Sequence, residues 1–344
     1  MKHYLPLLLF TFLFSKSFTA QAQDFDNPST YMSYLGQQQE SISKKFMSYA
    51  SASAHGKKAK KVDNLRTKLL DEVQDARMNI SGMPSFKGDK SYRDTTVNFM
   101  KLYYNVLNDD YSKIVNMEDI AEQSYDEMEA YLLLKEAVDK KLEEGNVKMK
   151  TAQQKFAAEH NITLTNSSSD LDNMVNEVGD LNKYYNDVYL VFFKPYVQEK
   201  YLLEATQKGN ITGIEQDKNS MQKYAQEGLT KLATMKGYKG DNSVLAECKN
   251  ILNFYNKEAD MMSVVTDYLL KTERFKTIQK EFEKKSDASK QEVSDYNKAV
   301  DDVNKATKLY NTNNKNLNDM RSDALDDWNK SVNSFFSEHT PHYK

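Results

Sequence analysis

The chain has 344 residues and a formal net charge of −3, from 47 basic and 50 acidic side chains. That balance argues against nucleic acid or an anionic membrane surface as the main partner. The single cysteine, Cys248, excludes an intrachain disulfide, and the length fits two units of about 150 residues better than one.

Residues 1–22 have the anatomy of a secretory signal peptide. Lys2 and His3 precede an apolar run from Leu5 to Phe14, and Ala20-Gln21-Ala22 supplies small residues before a cleavage site at Gln23. The run is shorter than the roughly 20 apolar residues of a membrane span. The residue directly after the cleavage site is Gln23 and not a cysteine, so no lipid anchor is expected. The Ala-Gln-Ala-Gln ending resembles bacterial signals and points to export into a Gram-negative envelope, to the periplasm or the cell surface.

Strand-type alternation is absent, and the mature chain is read as an all-α fold. The first helix opens at Asn27-Pro28, an N-cap followed by proline at the first helical position, and runs to about Ala54. The second carries one apolar stripe, Val62, Leu65, Leu69, Val73, Ala76 and Ile80, and is stopped by Gly82 and Pro84. Next comes Phe86-Lys87-Gly88-Asp89. Gly88 is expected to end the preceding helix with a positive φ, and Asp89 to cap the next one. The third helix buries Phe99, Met100, Tyr103 and Leu107. The fourth begins near Asn116 and continues past Val138 and Leu142 towards Phe156. A polar stretch from His160 to Asp170 reads as a linker.

The order then repeats. A helix holding Tyr184, Tyr185, Val188, Val191, Phe192 and Phe193 forms the most apolar window of the mature chain, although Pro195 lies inside it. Thr212-Gly213-Ile214-Glu215 has a capping-box pattern and opens a helix with Ile214, Met221, Ala225, Leu229 and Leu232. The corner returns as Tyr238-Lys239-Gly240-Asp241, offset by 152 residues, and Phe99, Leu102 and Tyr103 meet Ile251, Phe254 and Tyr255 at the same offset. This implies an internal duplication of a four-helix unit: first repeat 23–160, linker 161–170, second repeat 171–344. Cys248 shares an apolar face with Val244, Ile251 and Tyr255, which reads as a small buried hydrophobe rather than a nucleophile.

The last helix carries two seven-residue rows. One is Val303, Tyr310, Leu317 and Ala324; the other is Val300, Thr307, Asn314, Arg321 and Trp328. Together they form a coiled-coil-like seam with polar insertions. The seam serves either packing within the chain or a dimer interface in which Asn314 sets register. Ser289-Lys290-Gln291-Glu292 is a second capping-box match and a candidate break. Without a break, residues 272–336 would span roughly 95 Å.

Chemistry is sparse. The five histidines, His3, His55, His160, His339 and His342, show no zinc spacing. No nucleophile elbow, phosphate loop or dinucleotide fingerprint occurs. Acidic pairs such as Glu118-Asp119, Glu143-Glu144 and Asp326-Asp327 read as solvated helix faces. Tyr31, Tyr34 and Tyr49 would offer a partner or glycan surface if exposed, whereas their helical spacing favours core. No catalytic, cofactor-binding or metal residue is assigned, and no cofactor is expected.

The signal peptide, the duplicated helical halves and the Phe/Tyr-Lys-Gly-Asp corner together resemble a family of uncharacterised helical bacterial surface proteins, first named from a spirochaete member and common in gliding-type envelope bacteria. The resemblance covers most of the mature chain and implies no activity that carries to any residue here. Periplasmic imelysin-like iron-uptake proteins are also helical duplications, but their Gly-x-His-x-x-Glu signature is missing. The expectation is an exported, non-enzymatic envelope protein acting on an envelope partner or on itself. The alternatives are a small-ligand-binding bundle lined by the 184–193 window, and a helical pore inserting 188–197, which Lys194 and Pro195 interrupt.

Overall fold

The computed structural model describes residues 25–110, 125–164 and 169–343. The signal-peptide reading, the start of the fourth helix near Asn116 and the middle of the linker at 165–168 lie outside the described residues. Among those described, the protein is all-α. Its helices are α1 (Pro28–Ala54), α2 (Ala59–Ser81), α3 (Ser91–Asn105), α4 (Tyr125–Glu159), α5 (Asp170–Gln207), α6 (Ile211–Leu232), α7 (Ser243–Phe282) and α8 (Lys290–His339), with a π-helical segment at Val106–Asp110. Two compact units result, one within Met1–Tyr185 together with Asn333–Lys344, the other Asn186–Val332.

In the first unit, Asn27 caps α1 by accepting the N–H groups of Ser29 and Thr30 at 2.9 and 3.1 Å, ahead of Pro28. Apolar stripes then meet in sequence order, α1 on α2, α2 on α3 and α3 on α4. Tyr31, Leu35, Phe46, Leu69, Val73, Phe99, Tyr103, Leu142 and Phe156 are all buried. Each such side chain contributes about 1.5–3 kcal/mol relative to exposure. The C-terminal residues join this unit: the Tyr343 N–H donates to Ser51 Oγ at 3.0 Å, and His342 stacks on His55 at 3.7 Å.

The corner between α2 and α3 differs from the expected helix terminator. Helix α2 already ends at Ser81, with Gly82 in right-handed geometry. Gly88 instead sits in a four-residue turn, Phe86 to Asp89, closed by reciprocal backbone hydrogen bonds of 2.9 Å. Lys87 and Gly88 both have positive φ, 48° and 90°, which is the signature of a type I′ turn. Phe86 is buried against Tyr31 and Phe156. The N-cap position is Lys90 and not Asp89; Asp89, one residue earlier, accepts the Ser91 N–H on its Oδ1 at 2.7 Å, and that bond holds the carboxyl below the usual carboxylate range.

The corner between α6 and α7 has the same geometry. Tyr238 bridges to Asp241, and Lys239 and Gly240 have φ of 50° and 94°. Asp241 Oδ1 accepts the Ser243 N–H at 2.7 Å. In each corner the lysine ammonium lies 5.5 Å from the ring of the aromatic before it.

In the second unit α5 runs through Pro195, whose missing N–H leaves the Val191 carbonyl without its helical donor. The cap of α6 is Asn210, which accepts the Gly213 N–H at 3.1 Å, and not Thr212. The helix starts at Ile211, so Thr212 is already inside it. A Cβ on Gly228 would lie 2.9 Å from both Leu252 and Val191, so a small residue is needed where α6 meets α5 and α7. Helices α7 and α8 are separate. Ser289 and Glu292 form a reciprocal capping box, with the Ser289 N–H on the carboxylate at 2.9 Å and the Glu292 N–H on Oγ at 3.3 Å.

The seam of α8 is filled by α7 of the same chain. Tyr310 stacks on Tyr268 at 4.4 Å, and Tyr296 on Phe282 at 4.6 Å. Asn314 is exposed and sets no register; the buried amide is Asn313, which donates to the Met261 carbonyl at 3.3 Å.

Gly88→Ala and Gly240→Ala are each expected to lose about 1–2 kcal/mol in chemical denaturation, because neither turn tolerates a Cβ at such φ. Gly82→Ala, in right-handed geometry, serves as the neutral control.

Candidate functional site

Three helices of the second unit bring charge into its core. Arg321 on α8 donates from Nε to Glu199 on α5 at 2.5 Å, and from its terminal nitrogen to Glu258 on α7. The Glu199 and Glu258 side chains are 3% and 0% exposed, and Arg321 only 16%, so water does not share the work of solvating them. Asn318 takes a further guanidinium N–H at 2.7 Å. Tyr255, one turn before Glu258, is buried among the same charges.

Burial and the neighbouring Glu199 carboxylate push Glu258 upward, outweighing the attraction of Arg321. Both carboxyl groups converge on the one guanidinium. Two buried oxygens, Glu258 Oε2 and the Tyr255 hydroxyl, have no hydrogen-bond partner. The cluster can fix helix register and hold a proton. No group in it is placed as a nucleophile beside a base.

Beyond this cluster the two helices continue as a pair. From residue 266 to residue 305 no residue is buried, and aromatic stacking holds the pair together. We refer to this stretch as the arm. A cleft of about 440 Å³ opens along it, lined by Lys271, Arg274, Phe275, Ile278, Asp295 and Asp302 among others. At its tip Lys285 pairs with Glu292, and that lysine together with Ser289 lowers the Glu292 carboxyl to about 2.

The sequence-level candidates fall elsewhere. Tyr31 and Tyr49 are buried, so the exposed tyrosine surface does not form; the Tyr31 hydroxyl donates to the Pro84 carbonyl at 3.0 Å. His160 packs against Phe86 and Phe156 at 4.6 and 4.5 Å. Val188, Val191, Phe192, Phe193 and Val197 are core residues, with Phe192 stacked on Trp328 at 4.6 Å. Cys248 is fully buried, and desolvation pushes its thiol up to about 12. Glu143, Glu144, Asp326 and Asp327 are exposed; Glu118 and Asp119 lie outside the described residues. No described helix is long and apolar enough to cross a membrane.

Of the buried cluster, sequence reading named only Arg321, as an insertion in a seam. The missed signal was a charge on the apolar stripe of each of two other helices. Glu258 follows Ile251 and Tyr255 and precedes Met262, all buried. Glu199 lies between buried Val197 and Leu202.

In comparisons with known proteins, the chain matches no family model, and no curated protein or solved structure matches it.

Arg321→Met is expected to lower stability by about 3–5 kcal/mol, because it strands two buried carboxylates. Breaking the exposed tip pair with Lys285→Met should cost far less, since water screens that pair. Denaturation midpoints of the two variants measure the contrast.

Proposed function

We propose that this is an exported, non-catalytic protein of a Gram-negative envelope that acts by protein–protein contact, with the arm as its contacting element. The carrying observation is that the paired helices between 266 and 305 bury no residue. Two long helices held off a core gain little for the stability of their own unit, and most helical stability comes from packing an apolar face. Among the described residues the exposed large hydrophobics are Met78, Val147, Leu270, Val293 and Leu309, and the last three belong to the arm or its immediate root. Arg274, Lys276 and Lys280 on α7 and Lys284 just beyond it are exposed and form no ion pair among the described residues, so their charge can meet a partner.

Export rests on the signal-peptide anatomy of residues 1–22 and agrees with the single buried cysteine. We further propose that the two halves arose by duplication of one four-helix unit. The equal turn geometry at Lys87-Gly88 and Lys239-Gly240 supports this, because an I′ turn at Lys-Gly between the second and third helix is an unusual device to find twice.

In intact cells, a photo-crosslinking amino acid at Lys276, Lys284 or Lys290 is expected to capture an envelope protein or a second copy of the chain. The same probe at exposed Lys231 should capture neither. Equal capture at all four positions, or none at the arm, would remove the arm from this role. Mass spectrometry of the recovered protein should find an N-terminus at Gln23; a retained residue 1–22 segment would count against export by cleavage.

A further inference from the structure

We infer that Glu199 and Glu258 hold one proton between them at neutral pH, and that this proton helps fasten the root of the arm to α5. The argument begins with charge. Facing the cluster are Glu199 and Tyr196 from α5, Glu258 and Tyr255 from α7, and Arg321 from α8. Fully ionised carboxylates would leave one negative charge uncompensated among side chains that are 3% and 0% exposed, and an uncompensated buried charge is not sustained when protonation can remove it.

Geometry gives the same result. Two nearly inaccessible carboxyl groups converge on a single guanidinium, and like charges that share a buried site favour a proton on one of them. Glu258 Oε2 has no partner, which costs less for a neutral carboxyl than for an anion. A bound cation is the other way to balance the charge. The unpartnered oxygens here are Glu258 Oε2 and the Tyr255 hydroxyl, too few for a hard cation that takes six or more oxygens.

Position makes the proton consequential. Val265 is the last buried residue of α7 before the arm, and Ala306 the first buried residue of α8 after it. Glu258 and Arg321 therefore lie on the core side of the point where the two helices leave it, Glu258 about two turns and Arg321 about four turns in. Losing the proton sets two like charges against each other there and loosens α7 and α8 from α5. The consequence for partner contact rests on the reading of the arm given above; the proton does not.

The test compares the whole chain with Glu258→Gln and Glu199→Gln, since an amide mimics a neutral carboxyl. The unfolded chain releases this proton in the ordinary carboxylate range, while the folded chain keeps it to about pH 8. The extra stability is present in full below that range and is lost as pH rises through the folded-state value. The folding constant of the parent, divided by that of Glu258→Gln, should fall about tenfold per pH unit between about pH 5 and 8 and then level off. Glu199→Gln should behave like Glu258→Gln, and exposed Glu227→Gln should track the parent.

A ratio that does not move with pH overturns the proposal. So does severe destabilisation of both Gln variants at every pH, which would mean two working carboxylates. Stability at pH 8 that depends on sodium against potassium, with no pH dependence, would put a cation where we place the proton. Hydrogen-exchange protection at 258–265 and 306–321, corrected for the intrinsic rate, should fall with rising pH in the parent and Glu227→Gln but not in Glu258→Gln. If these results hold but cross-linking at Lys276 does not follow pH, the arm reading fails and the shared proton stands.

Discussion

Two buried carboxyl groups on one half-buried guanidinium fix how three helices of the second unit meet. Apolar stripes hold helices together but tolerate sliding, because one buried methyl is much like the next. A guanidinium offers its donors in a planar fork with a set geometry, and Arg321 uses it towards α5, α7 and its own helix at once. Sliding α8 by one turn, about 5.4 Å, would part the guanidinium from both buried carboxyl groups. The cluster adds little net stability over a hydrophobic replacement; what it adds is one register in place of several.

The corners solve a different problem. A type I′ turn between helices is costly at Lys87 and Lys239, since left-handed backbone disfavours any Cβ by roughly 1–2 kcal/mol. Several contacts offset that cost in the first corner. Phe86 enters the aromatic core, Arg93 donates to the Met83 carbonyl at 2.7 Å, and Asp89 accepts the first N–H of α3. The second corner keeps the turn and the aspartate but not the tether: position 245, which corresponds to Arg93, is Leu, and it is buried. The turn is thus retained while its fastening changes from polar to apolar, which points to the backbone path itself as the shared requirement.

Much of the fold was legible because helix periodicity is a local signal. The stripes of α2 and α3, the Asn27 cap and the Ser289–Glu292 box are each contained in a few turns. Errors arose where local rules were extended too far. A seven-residue row drifts by about 20° per heptad on a straight helix, so counting from Val300 placed Asn314 in the seam when Asn313 occupies it. Gly88 reads as a helix terminator by composition; only the bridge from Phe86 to Asp89 makes it a turn residue. The buried charges were least legible. Arg321 meets partners 122 and 63 residues away, and in a chain with 50 acidic side chains nothing local marks the two that turn inward except the apolar residues beside them.

The arm depends on the same root. Past Val265 and Ala306 the two helices bury no residue up to the tip, and they are joined by a ladder of rings, Tyr268 on Tyr310, then Phe275 and Phe282 on Tyr296. Rings at seven-residue spacing on α7 give a wide contact from few positions, leaving the remaining positions free for charge. Such a ladder keeps the pair together but does not orient it against the rest of the unit. Orientation must come from the last fixed contacts before the arm, the Asn313 amide on the Met261 carbonyl and the Arg321 fork a little deeper. Of these two only the fork contains titratable groups. A change of one charge there bears on the whole arm, because no residue from 266 to 305 is buried to hold the pair to its core.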